Sequence, residues 1–199
     1  MNRSESFGVS KLSLLDKIIY YLRVHQLKKY CVFNHKIIVD AWCGYNAVFL
    51  HYIQMKFTPK KLIAFDIKLD STLLEKQWIS SFEGDLNKDF DLPEQPDLIL
   101  CTAVLEHLNN PIGFLTNVYR NLKPGWSLVL TIPTIRSKPV LEFLAFRLKL
   151  IDAREIRDHK QYYTKNKLRE YLQKAWFAEE NIHHHYFELY MNNFVLVKK

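Results

Sequence analysis

Three aspartates stand where short apolar runs end. Asp40 closes KIIVD, Asp66 closes KLIAFD, and Asp85 follows a brief third run in FEGDL. A carboxylate at such a point accepts hydrogen bonds from the hydroxyls of a sugar or the amino group of a base, and its charge strengthens each bond. Asp66 also lies roughly 20 residues beyond the turn at Gly44, the spacing of a ribose-binding acid in a βαβ nucleoside site. Taken singly, any of the three would serve equally as a helix or turn cap. Their joint placement points to a nucleoside.

Acid and imidazole sit side by side twice more, at Glu106-His107 and at Asp158-His159. An imidazole with an unperturbed pKa near ~6.5 takes a proton from an acceptor hydroxyl at neutral pH. Leu105 and Leu108 flank the first pair, so Glu106 and His107 could instead brace a turn. The second pair reads more readily as structural or substrate-positioning. His183, His184 and His185 form the densest imidazole run, but successive strand side chains alternate faces, so three neighbours do not converge on one ion and no metal site is expected. Cys31, Cys43 and Cys101 lack CxxC spacing, which argues against a disulfide framework or thiolate zinc site and leaves reduced thiols. Cys43 reads as a small packing residue, with no general base near it in sequence.

These residues need strand ends to hold them, and the rhythm of the chain supplies the strands. The β-like runs KIIVDA, KLIAFDI, DLILCTA and WSLVLTIP alternate with the helical stretches NAVFLHYIQM, STLLEKQW and PIGFLTNVYRNL. That alternation predicts βαβ units around a mostly parallel, buried sheet, whose ligands bind beyond the carboxyl ends of its strands. Pro111 at a helix start and LKPG at its close fit helix punctuation. Ahead of the first strand, Leu12, Leu15, Ile19, Leu22 and Leu27 fall near helical spacing and predict an amphipathic helix over 11–30. After Pro133 comes SKPVLEFLAFRLKLID, expected as a helix apolar on most of its surface. The charged AREIRDHKQ, the helix TKNKLREYLQKA, and the strand-like IHHHYFELY and NNFVLVKK follow, the last two forming a hairpin turned at MNN.

Over nearly its whole length this pattern resembles the class I S-adenosylmethionine-dependent methyltransferases, and its tail DHKQYYTKNKLREYLQKAWF resembles a bacterial branch with unassigned substrates. The first motif of the family, Asp-x-Gly-x-Gly-x-Gly, falls on Asp40, Ala41, Trp42, Cys43, Gly44, Tyr45 and Asn46. DLILCTAVLEHLNNP matches the fourth strand with its Leu-Glu-His segment, and LKPGWSLVLTIP the following turn and fifth strand. The resemblance implies an α/β, Rossmann-like, mostly parallel seven-stranded sheet with helices on both faces and a C-terminal antiparallel hairpin. It implies one domain over 1–199: an N-terminal helical cap (1–35), a cofactor-binding core (36–133), a helical insertion (134–163), and a C-terminal helix and hairpin (164–199). It also implies S-adenosylmethionine as cofactor, bound by Asp40, Trp42, Cys43, Gly44, Asn46, Asp66, Ile67, Asp85, Leu86, Thr102 and Ala103. Asp66 would bind both ribose hydroxyls and Asp85 the adenine amino group. Glu106 and His107 become the catalytic candidates, at the edge where acceptor and methyl group would meet.

The four tryptophans depart from the pattern together. Trp42 falls on a motif glycine, Trp126 on the second glycine of Lys-Pro-Gly-Gly, Trp176 on the glycine of Ala-Gly-Phe, and Trp78 on a helix end that favours glycine. The chain meanwhile has only 5 glycines in 199 residues, against a usual frequency near ~7%. One explanation covers all four: UGA codons read as glycine in one bacterial code and translated as tryptophan in another. The alternative is that Trp42 is native and fills the cofactor site.

With 28 Lys and Arg against 21 Asp and Glu, the net charge of +7 is spread in pairs rather than gathered into a nucleic-acid-binding module, so nucleic acid is not the expected partner. Arg147, Lys149, Arg154 and Arg157 border the apolar segment from Lys138 to Ile151, which suits either packing on the sheet or a lid over a small-molecule or lipid-linked acceptor. An anionic membrane surface would suit the same residues. No uncharged apolar run is long enough to span a bilayer, and MNRSESFGVSK lacks a signal-peptide core, so a cytoplasmic or membrane-peripheral protein is expected. Two functions remain: a methyltransferase, or a non-catalytic binding or scaffold protein with an impaired cofactor site. A nicotinamide oxidoreductase fits less well, because Gly44 is the only glycine in the turn.

Overall fold

The computed structural model describes residues 14–151 and 153–199, with the side chains of 14–20 and 155 left aside. Leu12 and the stretch MNRSESFGVSK therefore lie outside the described residues. Seven strands form one sheet in the order β3-β2-β1-β4-β5-β7-β6. They are β1 (Ile37–Ala41), β2 (Lys61–Asp66), β3 (Ser80–Glu83), β4 (Leu98–Thr102), β5 (Ser127–Pro133), β6 (Ile182–Phe187) and β7 (Asn192–Lys198). The first five run parallel, and β7 enters antiparallel between β5 and β6.

The apolar runs become central strands because both faces are covered. Ile37, Val39 and Ala41 join one core cluster while Ile38 joins the other, and Phe65 and Ala64 divide in the same way. Helices α1 (Leu14–Tyr30), α2 (Val48–Lys56) and α3 (Ser71–Lys76) cover one face through Leu27, Leu50, Ile53 and Leu74. Helices α4 (Pro111–Asn121) and α7 (Lys165–Lys174) cover the other through Phe114, Val118, Leu168 and Leu172. Period-2 alternation with both phases buried is what a parallel sheet between helical layers requires. Capping sets the helix starts. Asp70 accepts from the Leu73 N–H at 3.0 Å, Asn110 from the Gly113 N–H at 3.0 Å, and Thr164 from the Lys167 N–H at 3.3 Å.

Two expectations change. The helix expected over SKPVLEFLAFRLKLID is only α5 (Lys138–Glu142), which widens into a π turn at Phe143–Arg147 and stops at Leu148; α6 (Ala153–Arg157) follows. Val140, Phe143, Phe146, Leu148 and Leu150 are 40% to 53% exposed, so they do not pack on the sheet. The hairpin turns not at MNN but over Glu188, Leu189 and Tyr190, all at positive φ. Asn193 cannot serve the turn because its buried amide is committed to the sheet, donating to the carbonyls of Ile132 and Tyr163 at 3.2 Å each.

Candidate active site

The carboxyl ends of β1, β2 and β3 open on a cleft lined by Trp42, Asp66, Ile67, Gly84, Asp85, Leu86, Asn87, His107, Asn109, Asp158 and Lys160. Asp66 ends β2 with its carboxylate nearly covered: Oδ2 accepts from the Gly44 N–H at 2.8 Å and Oδ1 from the Ile67 N–H at 2.7 Å. The same acid thus shapes the glycine turn and faces the cleft. Asp85 accepts from the Asn87 N–H at 2.9 Å in a local turn, and Asn87 in turn accepts from the Asn109 N–H at 2.7 Å. Its capping role and its position in the cleft coexist.

Of the other residues expected around the cofactor, Ile67 and Leu86 line the cleft, whereas Asp40, Cys43, Gly44, Asn46, Thr102 and Ala103 are not among the residues that line it. Burial, and then the charge of Asp66, push the Asp40 carboxyl well above the usual carboxylate range. Burial also pushes up the Cys43 and Cys101 thiols, and Cys31 to about 12, which suits packing rather than nucleophilic roles. Asn87, Asn109 and Lys160 were not singled out in the sequence. Asn87, two residues past Asp85, carried a turn signal; Lys160 carried only its place beside Asp158-His159.

Glu106 and His107 occupy a short 3-10 turn past β4 and are almost wholly buried. The distant segment 158–163 is strapped onto that turn: the Lys160 N–H donates to the Glu106 carbonyl at 2.8 Å, and the Tyr163 hydroxyl to the Leu105 carbonyl at 3.0 Å. The two acid-histidine pairs therefore meet. His107 Nδ1 lies 3.1 Å from Asp158 Oδ2, and the His159 ring meets that of His107 edge-on with centroids 4.8 Å apart. His159 is pushed down to about 4 by burial and the neighbouring His107, against the pull of Asp158. On β6 the histidines divide as expected, His184 bonding Asn193 at 2.9 Å while His185 stacks on Phe194.

Trp42 stands at φ 69, and its indole lies over His107 with centroids 5.5 Å apart, within the cleft. Trp78 and Trp176 follow α3 and α7 in matching form. The Trp78 N–H donates to the Glu75 carbonyl and the Ile79 N–H to that of Leu74, both at 3.0 Å. After α7 the Trp176 N–H donates to Gln173 at 3.0 Å and the Phe177 N–H to Leu172 at 3.1 Å. Each is a Schellman cap with tryptophan at the left-handed position, φ 57 and φ 76, where glycine usually stands. Trp126 differs. Gly125, at φ 79, takes the left-handed step there, and Lys36 Nζ lies 3.7 Å from the centre of the Trp126 ring.

A strand-end cleft lined by two carboxylates and bordered by a buried acid-histidine cluster defines a nucleoside-cofactor protein of the Rossmann-like class. A methyltransferase-domain model matches residues 21–187, and the chain belongs to that family. Among curated proteins it is similar to a tRNA U34 carboxymethyltransferase of Helicobacter acinonychis, 29% identical over 140 residues, covering 64% of this chain and 52% of that protein. It is also similar to a ubiquinone biosynthesis O-methyltransferase of Rickettsia bellii, 22% identical, covering 72% of this chain and 61% of the relative. The chain thus spans between half and two thirds of the length of these relatives. In fold it is similar to an S-adenosylmethionine-dependent methyltransferase of Mesorhizobium loti, with a TM-score of 0.65, 16% identity, and coverage of 88% and 96% of the two chains. Human N-acetylserotonin methyltransferase in complex with its cofactor gives 0.65 at 18% identity, covering 91% of this chain and 52% of that one. The seven-stranded mixed sheet with two helical layers is the fold expected from the sequence.

The lining fits the adenosine half of S-adenosylmethionine: Asp66 and Asp85 offer acceptors, and Ile67 and Leu86 offer apolar surface, in the same cleft. At the other end the Trp42 indole lies in the cleft, at the turn where the family places a glycine.

Proposed function

We propose that the protein is an S-adenosylmethionine-dependent methyltransferase acting on a small-molecule or lipid-linked acceptor. The observation that carries this reading is that Asp66, Asp85 and the His107–Asp158 pair line one cleft. Bound S-adenosylmethionine would supply an electrophilic methyl group on a sulfonium, and the residues need only bind, orient and exclude water around an in-line displacement. Asp66 would accept from the ribose hydroxyls and Asp85 from the adenine amino group. Asp158 holds His107 through Nδ1, which fixes Nε2 as the nitrogen for acceptor chemistry.

The acceptor class rests on the exposed apolar segment 140–150, where the Arg157 guanidinium lies 5.4 Å from the Phe146 ring centre. Apolar rings edged by cations suit a greasy acceptor with an anionic group. The test is transfer of labelled methyl from S-adenosylmethionine into cell extracts fractionated into organic-soluble, RNA and protein pools. Label is expected in the organic-soluble pool. Label in RNA alone would overturn this acceptor class. The second reading, a non-catalytic binding protein, is favoured by one observation, the Trp42 indole inside the cleft.

A further inference from the structure

We infer that Glu106, His107 and His159 form a site for one divalent transition-metal ion on the acceptor side of the cleft. Among the described residues, these three bring one ligand atom each within 4.8 Å of one another. They come from two segments more than fifty residues apart, held together by the Lys160–Glu106 backbone bond. Each imidazole has its Nδ1 engaged, His107 with Asp158 Oδ2 at 3.1 Å and His159 with the Tyr162 hydroxyl at 3.1 Å. That is the outer-shell arrangement of metal-bound histidines, in which one ring nitrogen bonds a carboxylate or other oxygen and Nε2 coordinates. Ligands about 2.1 Å from a tetrahedral ion lie about 3.4 Å apart, so binding requires the widest separation, 4.8 Å, to contract by about 1.4 Å.

Two imidazoles and a carboxylate select zinc or a similar first-row ion over magnesium, and three protein ligands leave a fourth position open. Of the three ligands His107 lines the cleft, and we assign the open position to the acceptor on that side. This deepens the methyltransferase reading and rests on it for the chemistry. An acceptor hydroxyl bound to the ion loses its proton to solvent more readily, as metal-bound water does. The oxygen lone pair then forms the new bond to the methyl carbon as the carbon–sulfur bond breaks and its electrons remain on sulfur. His107 acts here as a ligand rather than as a proton acceptor.

The test is calorimetric titration of Zn2+ into chelator-treated, tag-free full chain, with Co2+ as an optical probe of the same site. One ion per chain is expected. Glu106→Gln and His159→Asn should each weaken it at least tenfold, Asp158→Asn by about 10- to 100-fold, and replacement of His183, His184 and His185 by asparagine should leave it unchanged. Because Glu106 is fully buried, folding is checked by circular dichroism, and the less buried His159→Asn carries the test if Glu106→Gln unfolds. No ion bound by the native chain, or binding lost only with the three strand histidines, overturns the inference. S-adenosylhomocysteine is titrated in parallel. Cofactor taken up by the Trp42→Gly form with no ion bound to either form sinks the metal site alone, and ion bound with no cofactor taken up by the Trp42→Gly form sinks the methyltransferase reading.

A second observation stands independently. Ten non-glycine residues take positive φ among the described residues, and three of them are tryptophans, although the chain has only 4. Left-handed backbone is uncommon outside glycine and disfavoured for bulky side chains. Trp78 and Trp176 are 86% and 71% exposed, so no packing compensates at the two caps. We propose that the functional polypeptide carries glycine at positions 42, 78 and 176, through UGA codons read as glycine. Trp126 lacks the left-handed signature, so the geometry makes no demand there. Sequencing the gene and peptide mass spectrometry of protein from its own host test this. UGA codons with glycine-containing peptides are expected at the three positions, and UGG codons there overturn it.

Discussion

Asp66 performs two tasks with one carboxylate, holding the Gly44 N–H while facing the cleft. Asp66→Ala should weaken S-adenosylhomocysteine binding by about 1.5 to 3 kcal/mol, the range for hydrogen bonds to charged groups. Asp66→Asn keeps an acceptor for one of the two N–H groups that Asp66 holds, so it should disturb the turn less than Asp66→Ala and still bind more weakly. Calorimetry on both variants separates ligand contact from turn support, and unchanged affinity in folded Asp66→Ala would remove it from the site. At this scale the sequence displayed Asp66 and Asp85 because a polar residue closing an apolar run is conspicuous. It did not display the joining of His159 to His107, since their contact depends on where a chain segment beyond β5 returns to β4. Trp42, Trp78 and Trp176 were legible as residues at positions that favour glycine, and their positive φ angles follow the turns rather than the side chains.

At the scale of elements, the strands were legible because both faces of each central strand are apolar, while the ends of the last elements were not. Three consecutive left-handed residues, Glu188 to Tyr190, carry no glycine to mark the hairpin turn. The π turn after α5 likewise has no proline or glycine within it to announce it. Phe143→Ser with Phe146→Ser should therefore leave the melting temperature and cofactor affinity near those of the parent while lowering methyl transfer at least tenfold. Loss of stability in step with activity would make the segment core after all. Asp97 anchors the start of β1, its Oδ2 accepting from the Ile37 N–H at 2.7 Å and its Oδ1 lying 2.9 Å from Lys123 Nζ. Burial raises its carboxyl, but the Ile37 N–H and the Lys123 ammonium outweigh that and hold it below its usual value. The stabilisation is thus present above about pH 4 and lost as pH falls through the lowered folded value. Asp97→Asn should cost about 1 kcal/mol at pH 7. Thermal melts of the two proteins should draw together as pH falls from about 4 through the lowered folded value; a constant difference would remove the charge from the explanation.

For the molecule as a whole, the sheet order 3-2-1-4-5-7-6 gathers the cleft residues at one edge, the carboxyl ends of the strands, while the C-terminal hairpin closes the far side. No described helix is long and apolar enough to cross a membrane. The central claim is that the cleft binds S-adenosylmethionine through Asp66. It is tested most directly by calorimetric titration of S-adenosylhomocysteine into the chain carrying glycine at positions 42, 78 and 176, with and without Asp66→Ala. Saturable binding is predicted for the glycine form, at least tenfold weaker with Trp42 restored and about 10- to 150-fold weaker with Asp66→Ala, consistent with the loss of charged hydrogen bonds. No binding by the glycine form, or binding indifferent to Asp66, would contradict the account.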